Sequence, residues 1–231
     1  MSSAVDTNGS SQTVAQGELQ QSWLDALHVL RRFVELRDEE APGHVERISR
    51  YSALIAAAAG LPEERRRLIG LASTLHDTGK VAIPEVIVLK EGKLTSHERR
   101  VMQQHTELGY RMLKGSESPY LRLAATIAWT HHERFDGEGY PRQLFGQGIP
   151  LEGRIVALAD VFDALSTDRP YRRALKFDEV VEAIQQDRGK HFDPDLVDAF
   201  LAEREAITEI MQVRRASSLF TDAPTYDGAI A

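Results

Sequence analysis

"LRLAATIAWTHHERFDGEGYP", Leu121 to Pro141, is an apolar helical stretch that runs into two adjacent histidines and then a glycine-rich loop. Neighbouring residues on a helix point about 100° apart. His131 and His132 can therefore face one point only where regular spacing ends, and Gly137 and Gly139 follow them. "LHDTGK", Leu75 to Lys80, is built the same way: an apolar helix leads to His76 and Asp77, and Gly79 reads as its stop. Taken singly, a buried histidine is usually a core residue, and a His-Asp pair is often only a cap. Two such pairs in one chain, each before a glycine break, point to side chains converging on one ion or on two adjacent ions.

Outward from these stretches the period stays helical. Trp23, Leu27, Leu30 and Val34 repeat at i, i+4, i+7 and i+11, and Leu24 and Phe33 widen that face. Ile48, Tyr51, Ile55 and Ala58 continue the pattern to Gly60, a helix stop. Leu61-Pro62-Glu63-Glu64 reads as a helix start, with Leu68, Leu71 and Leu75 on one face. Further helices are predicted at about 96–114, 119–132, 152–166, 177–188 and 194–210. The strand-like run "VAIPEVIVL" is interrupted by Pro84. The expectation is one all-α domain over 19–212, between an N-terminal tail (1–18) and a C-terminal tail (213–231). The N-terminal tail has too few large apolar groups to offset the entropy of ordering it.

Composition narrows the chemistry. The chain has no cysteine, so any metal must be held by His, Asp and Glu, which suits Mn, Fe, Mg, Ni or Zn. A net charge of −7 argues against nucleic-acid binding on a broad basic surface. "ALIAAAAGL", Ala53 to Leu61, is only about half a membrane span, and the first residues do not read as a secretory signal. A cytoplasmic protein with no membrane contact is expected.

More candidate ligands lie elsewhere: His44 after "EEAPG", His105 in "MQQHTELG", and Asp160 and Asp163 in "ALADVFDAL". A buried, unpaired carboxylate costs several kcal/mol, so an aspartate amid apolar neighbours calls for a metal or a cation. That argument favours Asp160; for Asp163 a solvated face is an equal alternative. "HFDP", His191 to Pro194, reads as helix-start chemistry, with Asp193 as N-cap, Pro194 at N1 and a structural His191.

"LHDTGK", "IPEVIVLKEGKLTSHERRVMQQH", "HHERFDGEGYP", "IPLEGRIVALADVFDALSTDRPYR" and "HFDPDLV", in this order from about Gly43 to Val197, resemble the HD-GYP proteins, a branch of the HD-domain metal-dependent phosphohydrolases. The resemblance implies an all-helical bundle with a metal site in its core. It also implies hydrolysis of cyclic di-GMP to pGpG and then GMP. His44, His76, Asp77 and Asp160 would hold one metal, and Asp77, His105, His131 and His132 the second, with Asp77 bridging. Asp77 suits that role because a carboxylate has two oxygens while an imidazole has one free nitrogen. Lys80, Tyr140 and Arg169 would contact the ligand, and Arg172 stands where some members carry lysine. Asp77 and Lys80 are the catalytic candidates, Lys80 as a point charge on the phosphate.

Some members of the family hold a third ion through a glutamate placed like Glu40. Here "DEEAPGH" has Ala41 and Pro42 where the family has Thr-Gly, so the expectation is two firm ions, Fe or Mn first, and a weak or empty third site. A GGDEF-domain partner at the GYP loop and a homodimer are the expected associations. Two alternatives stay open: hydrolysis of another cyclic dinucleotide such as cyclic GMP-AMP, and a low-turnover ligand-binding adaptor.

Overall fold

The computed structural model describes residues 43–168 and 172–212, with Ser22, Ala26 and Val29 as further helical positions. The helix expected through Trp23 and Val34, both tails, Glu40 and Arg169 lie outside the described residues.

Helix α1 (His44–Ala58) buries Ile48, Tyr51 and Ile55 along one face. It ends as predicted at Gly60, whose φ of 78° lets the amides of Gly60 and Leu61 turn back to the carbonyls of Ala57 and Ala56. Helix α2 (Glu63–Ser73) then packs closely on α1, with Gly70 against the backbone of Ser49. The predicted face of α2 is rotated: Leu71 is 42% exposed, Ile69 and Ala72 point inward, and Leu75 lies beyond the helix end. The small Gly70 and Ala72 permit the close approach, and packing distance decides the inward face here more than leucine spacing does.

The "VAIPEVIVL" run forms no strand; among the described residues there is none. A 3-10 turn (Thr78–Ala82) stops before Pro84, which opens the short helix α3 (Glu85–Val88). Helix α4 (Ser96–Leu113) starts with a reciprocal cap. The Glu98 amide donates to the Thr95 hydroxyl at 3.3 Å, and the Thr95 amide donates to the Glu98 carboxylate at 2.7 Å. Helix α5 (Pro119–Thr130) begins on Pro119.

Helix α6 (Leu151–Ser166) is apolar on most sides, as a central helix must be. Its Phe162 meets Tyr51 of α1 edge-on at 5.2 Å and Phe200 at 5.0 Å. Helix α7 (Phe177–Gln186) and helix α8 (Pro194–Ala202) close the far side, and α8 is capped by Asp193 as read from the sequence. The single helix expected over 194–210 is instead two, because the chain breaks at Glu203 before α9 (Arg204–Gln212). The break lets Ile207 and Ile210 turn back to the core. No helix among the described residues is long and apolar enough to cross a membrane.

Gly79 is not the helix stop that the sequence suggested. Helix α2 already ends at Ser73, and Gly79 lies inside the 3-10 turn. Its role is steric: a Cβ there would sit 1.9 Å from the carbonyl oxygen of His105 and 2.5 Å from the Gly109 amide. The turn is thus pressed onto the middle of α4. Gly79→Ala should destabilise the fold by about 2 kcal/mol, the middle of the range for forced overpacking. Thermal unfolding followed by circular dichroism should show a Tm lower by about 4–8 °C; an unchanged Tm would contradict this packing.

Candidate metal centre

The candidate residues come from the ends and middles of different helices. His44 is the first residue of α1, following Gly43 with φ of 75°. His76 and Asp77 sit in the tightened turn after α2, where the amides of Leu75, His76 and Thr78 each bond to a carbonyl three residues back. His105 lies in mid-α4, opposite Gly79, and His131 caps the C-terminus of α5 with His132 next to it. Asp160 projects from α6. The structure brings these into two groups, Asp77–His105–His131–His132 and His44–His76–Asp160, with the facing atoms in each within 4.8 Å of one another. His44, His76, Asp77, His105 and His131 are buried.

Hydrogen bonds fix which nitrogen of the His76, His105 and His131 rings faces inward. The Nδ1 atoms of His76 and His105 lie 2.9 and 2.7 Å from the carbonyls of Ser73 and Met102. That of His131 lies 3.1 Å from the carbonyls of Ile127 and Ala128. A carbonyl only accepts, so Nδ1 carries the proton and Nε2 of the neutral ring offers a lone pair. Those lone pairs point at one carboxylate. His105 and His131 place Nε2 3.1 and 3.6 Å from Asp77 Oδ1, and His76 Nε2 is 3.1 Å from Oδ2. His105 and His131 also bring their Nε2 atoms within 3.4 Å of each other.

These separations are short, yet buried His76 Nε2 and Asp77 Oδ1 make no hydrogen bond of acceptable geometry. With the three rings neutral, acceptors face acceptors in a buried place, which requires positive charge there, an ion or a proton. The donor set of imidazole nitrogens and carboxylate oxygens fits divalent metal ions. Asp77 offers one oxygen to each side of the junction.

Charges tune the same atoms. Burial works against ionised Asp77, but Lys80, with Nζ 2.7 Å from Oδ2, and His76 outweigh it and hold the carboxyl well below the usual range. Burial and the repulsion of His131 and His105 push His132 well below the ordinary imidazole value. Burial also lowers His131. Burial would lower His76 too, but Asp77 and Asp160 reverse the sign and lift it to about 9.

Behind the His44–His76–Asp160 group lies a pair that the sequence did not fully disclose. Asp163 is fully buried, not on a solvated face. Arg47 grips it with Nε at 2.5 Å from Oδ1 and Nη2 at 3.0 Å from Oδ2. His44 Nδ1 lies 2.8 Å from Oδ2, which turns His44 Nε2 toward Asp160, 3.9 Å from its Oδ1. Arg47 was not singled out in the sequence, although an arginine one turn from His44 on the apolar face of α1 was a usable signal.

The other candidates separate. Tyr140 stacks on His132, with centroids 4.8 Å apart and planes at 27°; its bond to Pro141 is cis. Arg172 is exposed and donates to the carbonyl of Ala164 near the end of α6, while Arg173 is an exposed surface charge. His191 belongs to neither group and stacks on Phe192 at 4.4 Å.

The sequence profile of the HD domain family matches residues 28–196. A cyclic di-GMP phosphodiesterase response regulator of Xanthomonas campestris pv. campestris is 44% identical over 196 residues, covering 85% of this chain and 52% of that protein. A 3'3'-cGAMP-specific phosphodiesterase of Vibrio cholerae is 41% identical over 184 residues, covering 80% of this chain and 35% of that one. The chain thus spans about half, or less, of the curated relatives it matches. The crystal structure of a cyclic GMP-AMP phosphodiesterase of V. cholerae superposes with a TM-score of 0.62 at 19% identity, covering 84% of this chain and 51% of that one, which shows a shared fold.

Two measurements check the site. Since the His76 pKa is raised to about 9, the metal-free ring holds a proton at neutral pH that an ion must displace. Metal affinity should therefore rise with pH and level off above about 9, and calorimetry in two buffers should find proton release at pH 7. His132→Ala should lower bound metal by about one ion per chain by elemental analysis, and His191→Ala should not. Equal losses would overturn the separation of these histidines.

Proposed function

The chain belongs to the HD-domain family, and from that premise we propose that it is a metal-dependent phosphodiesterase of the HD-GYP class that hydrolyses cyclic di-GMP to pGpG and then GMP. The observation that carries this reading is the ring of histidine lone pairs around one buried carboxylate, Asp77, joined to two ligand groups. The proposed domain is 19–212, and a cytoplasmic place of action goes with the reading.

His44, His76, Asp77 and Asp160 would hold one divalent ion, and Asp77, His105, His131 and His132 the other. Bound there, such ions supply Lewis acidity to the phosphoryl oxygens and activate a water nucleophile. The chain's own part is orientation and charge. Backbone carbonyls hold the His76, His105 and His131 imidazoles in one tautomer, and Asp163 does the same for His44. Lys80 keeps Asp77 ionised and places a cation where a phosphate would lie. Arg169 and Arg172 are proposed to meet the second phosphate or a guanine edge, and Tyr140 to line the base or ribose side. Fe or Mn is the proposed metal, with Ni, Mg or Zn as alternatives. Glu40 is assigned at most a weak third site. A GGDEF-domain partner at the loop around Tyr140 and a homodimer complete the proposal.

The second reading keeps the site and changes the substrate to cyclic GMP-AMP. It is favoured by the V. cholerae relative at 41% identity that is named as specific for that dinucleotide. Both readings oppose a low-turnover adaptor, for which two sets of buried ligand groups would serve no turnover.

Purified protein loaded with Mn2+ or Fe2+ should hydrolyse cyclic di-GMP faster than 3'3'-cyclic GMP-AMP in a side-by-side assay; the reverse order would replace the first reading with the second. Asp77→Ala should leave less than about a tenth of that rate with its helical circular dichroism intact, because both ligand groups lose a shared donor. Glu40→Gln should change neither metal count nor rate. A fall from three ions to two would assign Glu40 to a third site.

A further inference from the structure

Glu133 follows His132 directly and is almost wholly buried, at 1% exposure. No metal reading uses it. Its carboxylate accepts the Arg142 amide at Oε1, 2.8 Å, and the Leu144 amide at Oε2, 3.0 Å. The loop is tied at a second point, where the Tyr140 amide donates to the carbonyl of His132 at 3.1 Å. Gly139 explains how the loop comes so near: a Cβ there would lie 2.3 Å from the Arg134 amide nitrogen and 2.6 Å from Glu133 Cα. The outer side is held too. The Arg142 guanidinium lies 4.4 Å from the centre of the Trp129 ring, which stacks on Tyr110 at 4.0 Å.

The loop is thus folded back onto the chain that carries His132, and its Tyr140 ring comes to rest on the His132 imidazole. His131 has two carbonyls at its Nδ1, whereas the His132 ring is flanked by rings: His131 at 4.1 Å, His105 at 5.1 Å and the stacked Tyr140 at 4.8 Å.

We propose that Glu133 is a positioning residue for the Asp77–His105–His131–His132 group: by holding the Arg142 and Leu144 amides it seats Tyr140 on His132 and so sets the direction of the His132 nitrogen toward Asp77. The inference rests on the reading of Asp77, His105, His131 and His132 as a metal site, but not on the substrate. A carboxylate side chain suits the task because its two oxygens accept from two amide donors. Glutamine has one acceptor and turns its NH2 against the other amide.

The test uses a His44→Ala background, which disables the His44–His76–Asp160 group, and titrates metal-free protein with Mn2+ by calorimetry. Glu133→Gln should weaken Mn2+ binding about 10- to 100-fold, the usual effect of losing a partner behind a ligand. Hydrogen exchange of the Arg142 and Leu144 amides should speed up in the same variant. A purely structural Glu133 would lower Tm and leave Mn2+ affinity unchanged, which overturns the inference. Tyr140→Ala leaves Glu133 in place and removes only the seated ring. It should weaken Mn2+ to a similar degree, and it decides the matter if Glu133→Gln does not fold; unchanged affinity there also overturns the inference. Absence of Mn2+ binding in the His44→Ala parent would defeat the metal reading itself, a different result from equal binding by parent and variants.

Discussion

The organisation of this molecule depends on one electrostatic constraint. A buried carboxylate, Asp77, is surrounded by imidazole nitrogens whose lone pairs face it. Such an arrangement repels itself unless positive charge sits inside it. Lys80 supplies part of that charge, and a proton on His76 supplies more in the absence of an ion. Neither can serve both Asp77 oxygens and all the nitrogens at once. Packing holds the lone pairs in place against their mutual repulsion, and that makes the centre ready for divalent ions.

The fold meets this constraint by placing the candidate ligands His44, His76, Asp77, His131 and His132 at or just beyond helix ends, with His105 and Asp160 within helices. The carbonyls of Ser73 and Ile127 already accept the backbone amides of His76 and His131, at 3.1 and 2.9 Å, and use a second lone pair for the Nδ1 atoms of the same two residues. Each such contact therefore does two things: it ties the ring to its own helix end and selects the tautomer of a candidate ligand. Close approach of the 3-10 turn to α4, permitted by Gly79, brings Asp77 to His105. On the opposite side, the buried Arg47–Asp163 pair aims His44 from behind. Removing either partner would leave an uncompensated buried charge, so the pair ties the start of α1 to α6.

Much of this was legible in the sequence, and the reason is locality. Helical period, the glycine stop at Gly60, the Asp193 cap and the two ligand pairs followed by glycine are all written within a few residues of each other. An all-α chain without cysteine could only build an N/O metal site, and His44, His76, Asp77, His105, His131, His132 and Asp160, the candidates that the resemblance singled out, are the residues the structure gathers. Those features depend on backbone geometry and side-chain chemistry that the local sequence determines by itself.

What only the tertiary structure decided are the matters of distance and burial. Arg47 and Asp163 are 116 residues apart in the chain, so their pairing was invisible, and Asp163 could as well have been solvated. Leu71 carried the right spacing for the core but faces outward, because Gly70 lets α2 approach α1 on another side. Gly79 looked like a helix stop and proved to be a point of contact between turn and helix. Glu133 gave no local sign of the loop it holds, since its partners are backbone amides nine and eleven residues on. Periodicity reports which face of a helix is apolar. What touches that face, and which buried charges meet there, is set by how the helices pack, and packing is a property of the whole chain.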